Sequence, residues 1–330
     1  MMQFRTLTLA AIAVGLLAAT PALAQTKMRI SYQVPTAHHL HKAMEFYKAE
    51  LEKATNGGIQ VELFPAEQLA KAAENHPQVA RGAIEAAIAV NFQWGNTIPE
   101  MNVTTIPYLF TDLEQIKKFP GSPAAQLLEA KLMAKGVKNI GWFYITRQSI
   151  FTSGKKPLVT VDDFKGVKIR GLNAIADAGL AAAGASPTPI SGNEVYNALQ
   201  SGLIDAGLTD LSAAVSRRFY EVQKFGTVAP YFSVYFHLYA NPAWFSKLTA
   251  DQQKAVLATG TKTEAFITPL TEKTAADASG QLREKGMTIH QQTAAEQKAW
   301  VDAMQKPVID AFTKSAPDDG QKLIDLLKKL

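Results

Sequence analysis

Arg81-Gly82-Ala83-Ile84-Glu85-Ala86 and Ser201-Gly202-Leu203-Ile204-Asp205-Ala206 lie about 120 residues apart and share one pattern. Each consists of a predicted helix end, a glycine, an apolar pair, an acid and an alanine. Around both stretches the order strand, helix, strand, helix, strand recurs, which favours a mainly parallel sheet covered by helices. The repeat therefore predicts two similar lobes.

The predicted elements follow from apolar alternation and helical spacing. In the first copy they are strands at 28–32, 59–64 and 84–90 and helices at 40–51 and about 69–81. In the second copy they are strands at 167–170, 186–190 and 203–208 and helices at 173–183 and 191–201. The last helix begins with Ser191-Gly192-Asn193-Glu194, which has the form of a capping box.

Segments 140–151 and 231–240 are rich in aromatic and β-branched residues and long enough to cross between lobes. From Thr249 onward the chain is predicted to be largely helical, with breaks near Gly286 and Pro307. The fold class is thus α/β, a two-lobed, type II-like clamshell. Each lobe is a mixed sheet flanked by helices, and crossing strands and a long C-terminal helix join the two. Ligands favour such interdomain clefts, at the carboxyl ends of strands.

The predicted domain boundaries place 25–145 plus about 236–270 in the first lobe and 146–235 plus about 271–330 in the second. Residues 1–24 form a predicted secretory signal peptide, with a positive charge at Arg5, an apolar run, and Ala22-Leu23-Ala24 as the cleavage site before Gln25. The run of 13 residues from Leu7 to Ala19 falls short of the ~20 that a membrane anchor needs.

The charge balance of 34 Lys and Arg against 29 Asp and Glu gives +5, or +4 after loss of Arg5 with the leader. Nucleic-acid binding requires basic residues gathered on one face. Here they come in scattered pairs, interleaved with acids: Lys117-Lys118, Lys155-Lys156, Arg217-Arg218 and Lys328-Lys329. No nucleic-acid partner and no stable membrane insertion is therefore expected. The chain has no cysteine, which excludes disulfides, thiolate metal sites and a lipid-bearing cysteine.

Catalytic signatures for phosphate binding, serine hydrolysis and zinc proteolysis are missing from the sequence. His38 and His41 are spaced for a shared helix face, but no further metal ligand stands in register, so a solvated helix start is favoured over a metal site. Asp162-Asp163 fits a helix start with acids at the positive dipole end rather than an acid–base pair. We expect no cofactor, no metal and no enzymatic activity.

Three blocks resemble the DctP-type solute-binding proteins of tripartite ATP-independent periplasmic (TRAP) transporters. They are 163–170, Asp-Phe-Lys-Gly-Val-Lys-Ile-Arg, then 184–189, and 194–206. Further blocks at 58–65, 68–69, 106–110 and 219–224 extend the resemblance over nearly the whole mature chain. It implies a two-lobed receptor that captures an organic acid and delivers it to the membrane permease subunits. Periplasmic location without lipidation is the matching expectation.

The resemblance implies that Arg170 anchors the ligand carboxylate, because it ends the strand of the family's K-G-h-K-h motif. A guanidinium suits this role, since it offers two parallel N–H groups and keeps its charge; the alternative is an interlobe ion pair. Arg147 matches a second family arginine, or else is an ordinary surface charge. Thr209 replaces a common ligand-binding asparagine, Asp210 replaces a proline, and Ser233 matches a polar contact of some members.

The remaining predicted substrate-binding residues are Asn91, Trp94 and His39, the last because it follows the first strand. Gly192 stands where family members often carry an aromatic residue, so it is expected to leave room. Phe92, Trp94, Tyr231 and Tyr235 would then form aromatic walls, a hypothesis that favours a larger or aromatic acid over a four-carbon dicarboxylate. Asp210 would accept hydrogen bonds from ligand hydroxyls or pair with an arginine.

The predicted mechanism is a ligand-driven shift from open to closed clamshells. Three other classes stay open at this point. They are a receptor for an ATP-driven (ABC) importer, a periplasmic enzyme on a clamshell fold, and a sensor that passes its ligand to a membrane kinase.

Overall fold

Two mixed sheets, one in each lobe, organise the chain. The computed structural model describes residues 25–330, and the predicted signal peptide lies outside the described residues. The first sheet has the order β2-β1-β3-β10-β4 and the second β11-β9-β5-β8-β6-β7. The strands of the first sheet are β1 (Thr26–Ser31), β2 (Ile59–Phe64), β3 (Ala86–Val90), β4 (Lys138–Thr146) and β10 (Val234–Ala240). Those of the second are β5 (Ser149–Ser153), β6 (Lys168–Gly171), β7 (Ser186–Pro189), β8 (Ala206–Asp210), β9 (Phe225–Ala229) and β11 (Thr288–Gln291).

Helices cover both sheets. They are α1 (His39–Ala54), α2 (Ala72–Ala80), α3 (Leu113–Lys118), α4 (Pro123–Ala134), α5 (Ala174–Ala182), α6 (Val195–Gln200), α7 (Leu211–Ser216), α8 (Pro242–Lys247), α9 (Ala250–Glu284), α10 (Ala294–Ser315) and α11 (Gly320–Leu327). Four short 3-10 helices lie at Asn91–Trp94, Pro99–Thr105, Val161–Phe164 and Phe219–Glu221. The predicted α/β architecture with two similar lobes is thereby confirmed. Within residues 25–330, no helix combines the length and the hydrophobicity that a transmembrane span requires.

The internal repeat is visible in the strand order. Three parallel strands stand in the same arrangement in each lobe, β2-β1-β3 in the first and β7-β6-β8 in the second. The two matching glycines, Gly82 and Gly202, turn the chain after α2 and α6 with φ of +76° and +74°. Such left-handed backbone favours glycine, so the repeated glycines follow from the repeated turn.

Each lobe takes its antiparallel fourth strand from the other half of the sequence. β10 pairs with β3, and β5 pairs with β8. The chain therefore crosses between the sheets three times, through Arg147-Gln148, through residues 230–233, and through α8 and α9 on the way to β11. The predicted crossing segment 140–151 is thus two strands of different sheets, and only residues 234–240 of the second predicted segment form a strand.

The long helix α9 packs on both lobes, against β4 and α1 of the first and against α7 and β11 of the second. A Cβ on Gly260 would lie 2.3 Å from the carbonyl oxygen of Ile140. Only glycine permits this close approach of α9 to edge strand β4.

The C-terminal region departs from the predicted division. Trp300 in α10 packs edge-on against Phe151 and Phe164 of the second lobe, with ring centroids 4.9 and 5.0 Å apart. Farther along α10, Val308 and Phe312 join the core of the first lobe, and Leu323, Ile324 and Leu327 of α11 join it too. The predicted boundaries place all of 271–330 in the second lobe, whereas these apolar side chains find their partners in the first.

Pro307 lies inside α10, and Gly286, with φ of +92°, follows the end of α9. The predicted break at Pro307 is wrong. A proline removes one helical hydrogen bond, but packing on both lobes holds α10 continuous around it. Thr160 and Asp163 form a capping box at 161–164, with the Thr160 amide donating to Asp163 Oδ2 over 2.8 Å, as the helix-start interpretation of Asp162-Asp163 predicts.

Glu264 of α9 provides a test of this packing. Its Oε1 accepts a hydrogen bond of 2.7 Å from the Trp142 amide on β4. Burial raises the pKa of Glu264 to about 7, because its effect exceeds that of the hydrogen bond from Trp142, which lowers the pKa. The wild-type protein should therefore lose stability as the pH rises from the ordinary value of 4.5 through about 7.

We expect Glu264→Gln to raise the free energy of unfolding at pH 8 by about 1–3 kcal/mol and to leave it unchanged below about pH 4.5, where both states carry the proton. Glutamine keeps an acceptor for the Trp142 amide. Urea unfolding over this pH range measures the difference, and Glu284→Gln on the exposed side of the same helix controls for loss of a charge. A stability difference that does not change with pH would contradict the prediction.

Candidate functional site

A cleft between the lobes contains the candidate site, where the carboxyl ends of β1 and β3 face those of β6 and β8. It consists of a cavity of about 250 Å³ and an adjoining recess of about 30 Å³. Gln33, Phe92, Arg170 and Leu172 line both. All four follow or end a parallel strand, so the repeated strand order brings them together.

Arg170, near the end of β6, is only 4% exposed. Its Nε donates to the Ile190 carbonyl over 3.1 Å and its Nη1 to the Leu208 carbonyl over 2.8 Å. It forms no ion pair with a carboxylate anywhere in residues 25–330. Burial lowers the pKa of Arg170 to about 9, and the nearby Arg217 lowers it further. The guanidinium is thus charged at neutral pH and held in one orientation by neutral acceptors.

A buried carboxylate supports the turn after β6. Asp177 Oδ1 accepts a hydrogen bond of 2.8 Å from the Leu172 amide, and burial raises the pKa of Asp177 to about 6. A Cβ on Gly171 would lie 2.2 Å from Asp177 Oδ2. Glycine at 171 therefore lets this carboxylate approach the backbone beside Arg170.

Asn173 connects the lobes while it caps a helix. Its Oδ1 accepts hydrogen bonds of 3.1 Å from the Ile175 and Ala176 amides at the start of α5. Its Nδ2 donates to the Phe92 carbonyl over 2.9 Å and to Asn102 Oδ1 over 2.7 Å in the first lobe.

A second polar bridge joins His38 of the first lobe to the start of α7 in the second. Asp210 Oδ1 accepts hydrogen bonds from the Ala213 amide over 2.8 Å and from Ser212 Oγ over 2.5 Å. Ser212 Oγ lies 3.2 Å from His38 Nε2, and that nitrogen lies 3.8 Å from Asp210 Oδ1. Burial favours the neutral acid, but hydrogen bonds from His38 and Ser212 hold the pKa of Asp210 well below its usual range.

This Ser-His-Asp cluster lacks the geometry of a hydrolytic triad. In a triad the aspartate accepts from one imidazole nitrogen while the serine faces the other. Here Ser212 and Asp210 both face Nε2, and His38 Nδ1 accepts from the Leu40 amide over 3.1 Å. His41, the other histidine of the predicted pair, instead meets the Tyr32 hydroxyl, 2.6 Å from its Nδ1. No cluster of metal-ligating side chains is found in the described chain.

Of the eight predicted substrate-binding residues, the structure brings four to the cleft. They are Arg170, Trp94, Thr209 and Asp210. Asp210 pairs mainly with His38 and its own helix, so the predicted arginine partnership is only a longer-range attraction to Arg217.

The other four lie outside the cavity lining and make structural contacts. Asn91 donates to the Met101 carbonyl over 3.0 Å and accepts from the Tyr235 amide. His39 stacks on His38 and contacts Thr271 Oγ1 at 3.0 Å, and burial lowers its pKa to about 3. Ser233 donates to the Phe110 carbonyl.

Arg147 is the fourth residue outside the cleft. Its Nη2 lies 2.8 Å from Glu272 Oε2 of α9. That hydrogen bond is the main cause of the raised pKa of Arg147. It lies at the crossing between the sheets, where the ion pair ties the connection to the long helix. The structure thus does not bring the second predicted arginine to Arg170.

Two of the four residues predicted to form aromatic walls line the main cavity. Phe92 and Trp94 line the main cavity, whereas Tyr231 packs in the core on Phe151 and Tyr235 donates to the Ile116 carbonyl. The expected free space at Gly192 is absent too, because a Cβ there would lie 2.5 Å from Arg217 Nη2. The predicted capping box is not formed either: α6 begins at Val195, Glu194 makes no side-chain cap, and Ser191 Oγ lies 3.5 Å from Gln33 Oε1 across the cleft.

Gln33, Asn173 and Arg217 are among the cleft residues that were not predicted from the sequence. Asn173 carried a signal, since an asparagine between a strand and a helix marks an N-cap at a carboxyl strand end. Arg217 belongs to one of the scattered basic pairs, and nothing in the sequence around it indicated a position in the cleft.

The model of the family described as bacterial extracellular solute-binding protein, family 7, matches residues 30–315. The 2,3-diketo-L-gulonate-binding periplasmic protein YiaO of Escherichia coli is 28% identical and covers 99% of this chain and 98% of the relative. The C4-dicarboxylate-binding periplasmic protein DctP of Rhodobacter capsulatus is 28% identical and covers 92% of each chain.

Among solved structures, a TRAP periplasmic solute-binding protein from Desulfovibrio salexigens with bound orotic acid is 25% identical to this chain. It matches with a TM-score of 0.88 over 92% of this chain and 98% of that chain. The two lobes and their sheets are thus shared with a structure that holds a small acid.

Asn173 allows the contact between the lobes to be separated from helix stability. We expect Asn173→Ala to lower the free energy of unfolding by about 1–2 kcal/mol and to make the protein more open, because it loses both the cap and the donors to the first lobe. Asn173→Asp keeps an acceptor for α5 but loses the donors, so it should keep most of the stability and still open. Urea unfolding measures the first effect and the radius of gyration from X-ray scattering the second. An Asp variant as compact as the wild type would contradict the role across the cleft.

Proposed function

We propose that Arg170 anchors the carboxylate of the ligand in the cleft. The premise is that the chain belongs to the bacterial extracellular solute-binding proteins of family 7. These proteins are the receptors of TRAP transporters, and they bind small organic acids. The observation that carries the proposal is a buried guanidinium in the cleft, bonded only to two carbonyls within residues 25–330. A buried charge without an opposite charge is costly, and a ligand carboxylate supplies that charge.

The size of the cavity supports a small acid. About 250 Å³ lies below the roughly 300–1,000 Å³ of most ligand pockets. Tyr231 and Tyr235 are not in the wall and Arg217 fills the space beside Gly192, so the hypothesis of a larger or aromatic acid loses two of its supports. We therefore favour a small acid with few carbons over a large aromatic one.

Closure is proposed to follow ligand binding. The cavity takes residues from both lobes, so a bound acid contacts both only when the clamshell is closed, and it shifts the population toward that form. Asn173 and the His38–Ser212–Asp210 bridge stabilise the same closed form through direct contacts between the lobes.

The proposed setting is the periplasm, after cleavage before Gln25, with delivery of the acid to the TRAP membrane subunits. The signal-peptide pattern in 1–24 and the periplasmic relatives support this. Family membership favours a TRAP partner over an ABC importer, and a receptor over an enzyme.

Mass spectrometry of small molecules released from freshly purified protein would identify the acid. We expect Arg170→Ala to weaken its binding by more than tenfold, which is about 1.4 kcal/mol, because the buried carboxylate loses its partner. Arg170→Lys keeps the charge but loses the planar pair of donors. Its affinity should therefore lie between those of the wild type and Arg170→Ala. Calorimetric titration measures all three proteins. A loss of less than tenfold in the alanine variant would overturn the assignment of the anchor.

A further inference from the structure

Arg217 is a second arginine at the cleft, and its surroundings are unusual. It directly follows α7, and its guanidinium lies against Gly192, which lines the main cavity. A Cβ on Gly192 would lie 2.5, 2.8 and 2.9 Å from Nη2, Cζ and Nη1 of Arg217. The guanidinium therefore occupies the volume that a side chain at position 192 would take.

Arg217 has no protein partner in the described part of the chain. It makes no ion pair and its Nε is buried without a hydrogen bond. Asp210 and Glu67 attract it electrostatically, and it repels Arg170. Asp210 is already engaged by the Ala213 amide, Ser212 and His38, and the side chain of Glu67 lies 3.5 Å from Lys71 Nζ.

The recess of about 30 Å³ is lined by Arg170, Arg217 and Asp210 together. Two guanidinium groups therefore face one carboxylate that has other partners. Neighbouring like charges in a site of low dielectric repel each other. An anionic group between or beside the two arginines offsets that repulsion and provides Arg217 with the acceptors that it lacks.

We propose that Arg217 recognises a second acidic group of the ligand, so that the site selects dicarboxylates over monocarboxylates. This inference rests on the proposed function, since Arg170 is taken to hold the first carboxylate. Gly192 and Arg217 act as a pair, because the missing side chain at 192 is what allows the guanidinium to reach the cleft.

Matched probes separate a second carboxylate from ligand size. Succinate, glutarate and adipate are each compared with their monoamides, which keep the shape and lose one charge. Calorimetric titrations at pH 7.5 and constant ionic strength are made on the full mature chain. The wild type should bind at least one diacid tenfold or more tightly than its monoamide.

Arg217→Gln should remove this preference. Its diacid affinity should fall at least tenfold while its monoamide affinity changes less than threefold, which also shows that the variant is folded. Arg217→Lys keeps a charge and should retain part of the preference. Gly192→Ala, which displaces the guanidinium, should lower the diacid affinity in the same direction, and the double variant should lose no more than Arg217→Gln alone.

The inference is overturned if Arg217→Gln keeps the wild-type preference, or if the wild type binds no diacid more tightly than its monoamide. Failure of the proposed function gives a different result, since Arg170→Ala would then leave both diacid and monoamide binding intact. Loss of both ligands in Arg170→Ala with unchanged preference in Arg217→Gln supports the anchor and rejects the second site.

Discussion

The buried positive charge of Arg170, held by neutral acceptors, is the centre of this cleft. The carbonyls that orient Arg170 come from Leu208 on β8 and from Ile190 just after β7, while Arg170 itself stands on β6. All three strands of the β7-β6-β8 unit thus contribute to one guanidinium. Carbonyl dipoles hold a cation in place without neutralising it, so its charge remains available to an anion.

The contacts between the lobes use side chains that already have a local task. His38, Asn173 and Asp210 each accept a backbone N–H at the start of a helix: α1, α5 and α7. All three helices follow parallel strands, so their first turns point toward the cleft. The same side chains then reach Ser212, the Phe92 carbonyl and His38 across it. Helix capping and closure of the lobes are therefore coupled, and the positive ends of α1 and α5 favour negative charge nearby.

Strand bounds could be predicted from the sequence, but the contacts of adjacent side chains such as His38 and His39 could not. β2 has the bounds predicted from its alternation, Ile59–Phe64, because period-two burial is a local property. His38 bridges the lobes whereas His39, one position later, stacks on it and contacts Thr271 of α9. A residue that follows a strand is expected at the carboxyl edge of the sheet, but the direction of its side chain depends on the elements that pack against it. Arg147 matched a family pattern, yet its carboxylate partner Glu272 lies 125 residues away on α9.

The two lobes, the strand–helix order of each repeat and the position of Arg170 at the end of a strand can be predicted from the sequence, since they rest on periodicity, glycine turns and a motif within a few residues. That α11 packs on the first lobe and that Arg217 fills the space beside Gly192 emerge only in the folded chain. Both outcomes depend on contacts between segments far apart in the chain. Local propensity carries no information about such contacts, and a long charged side chain reveals its partner only once the surrounding elements are in place.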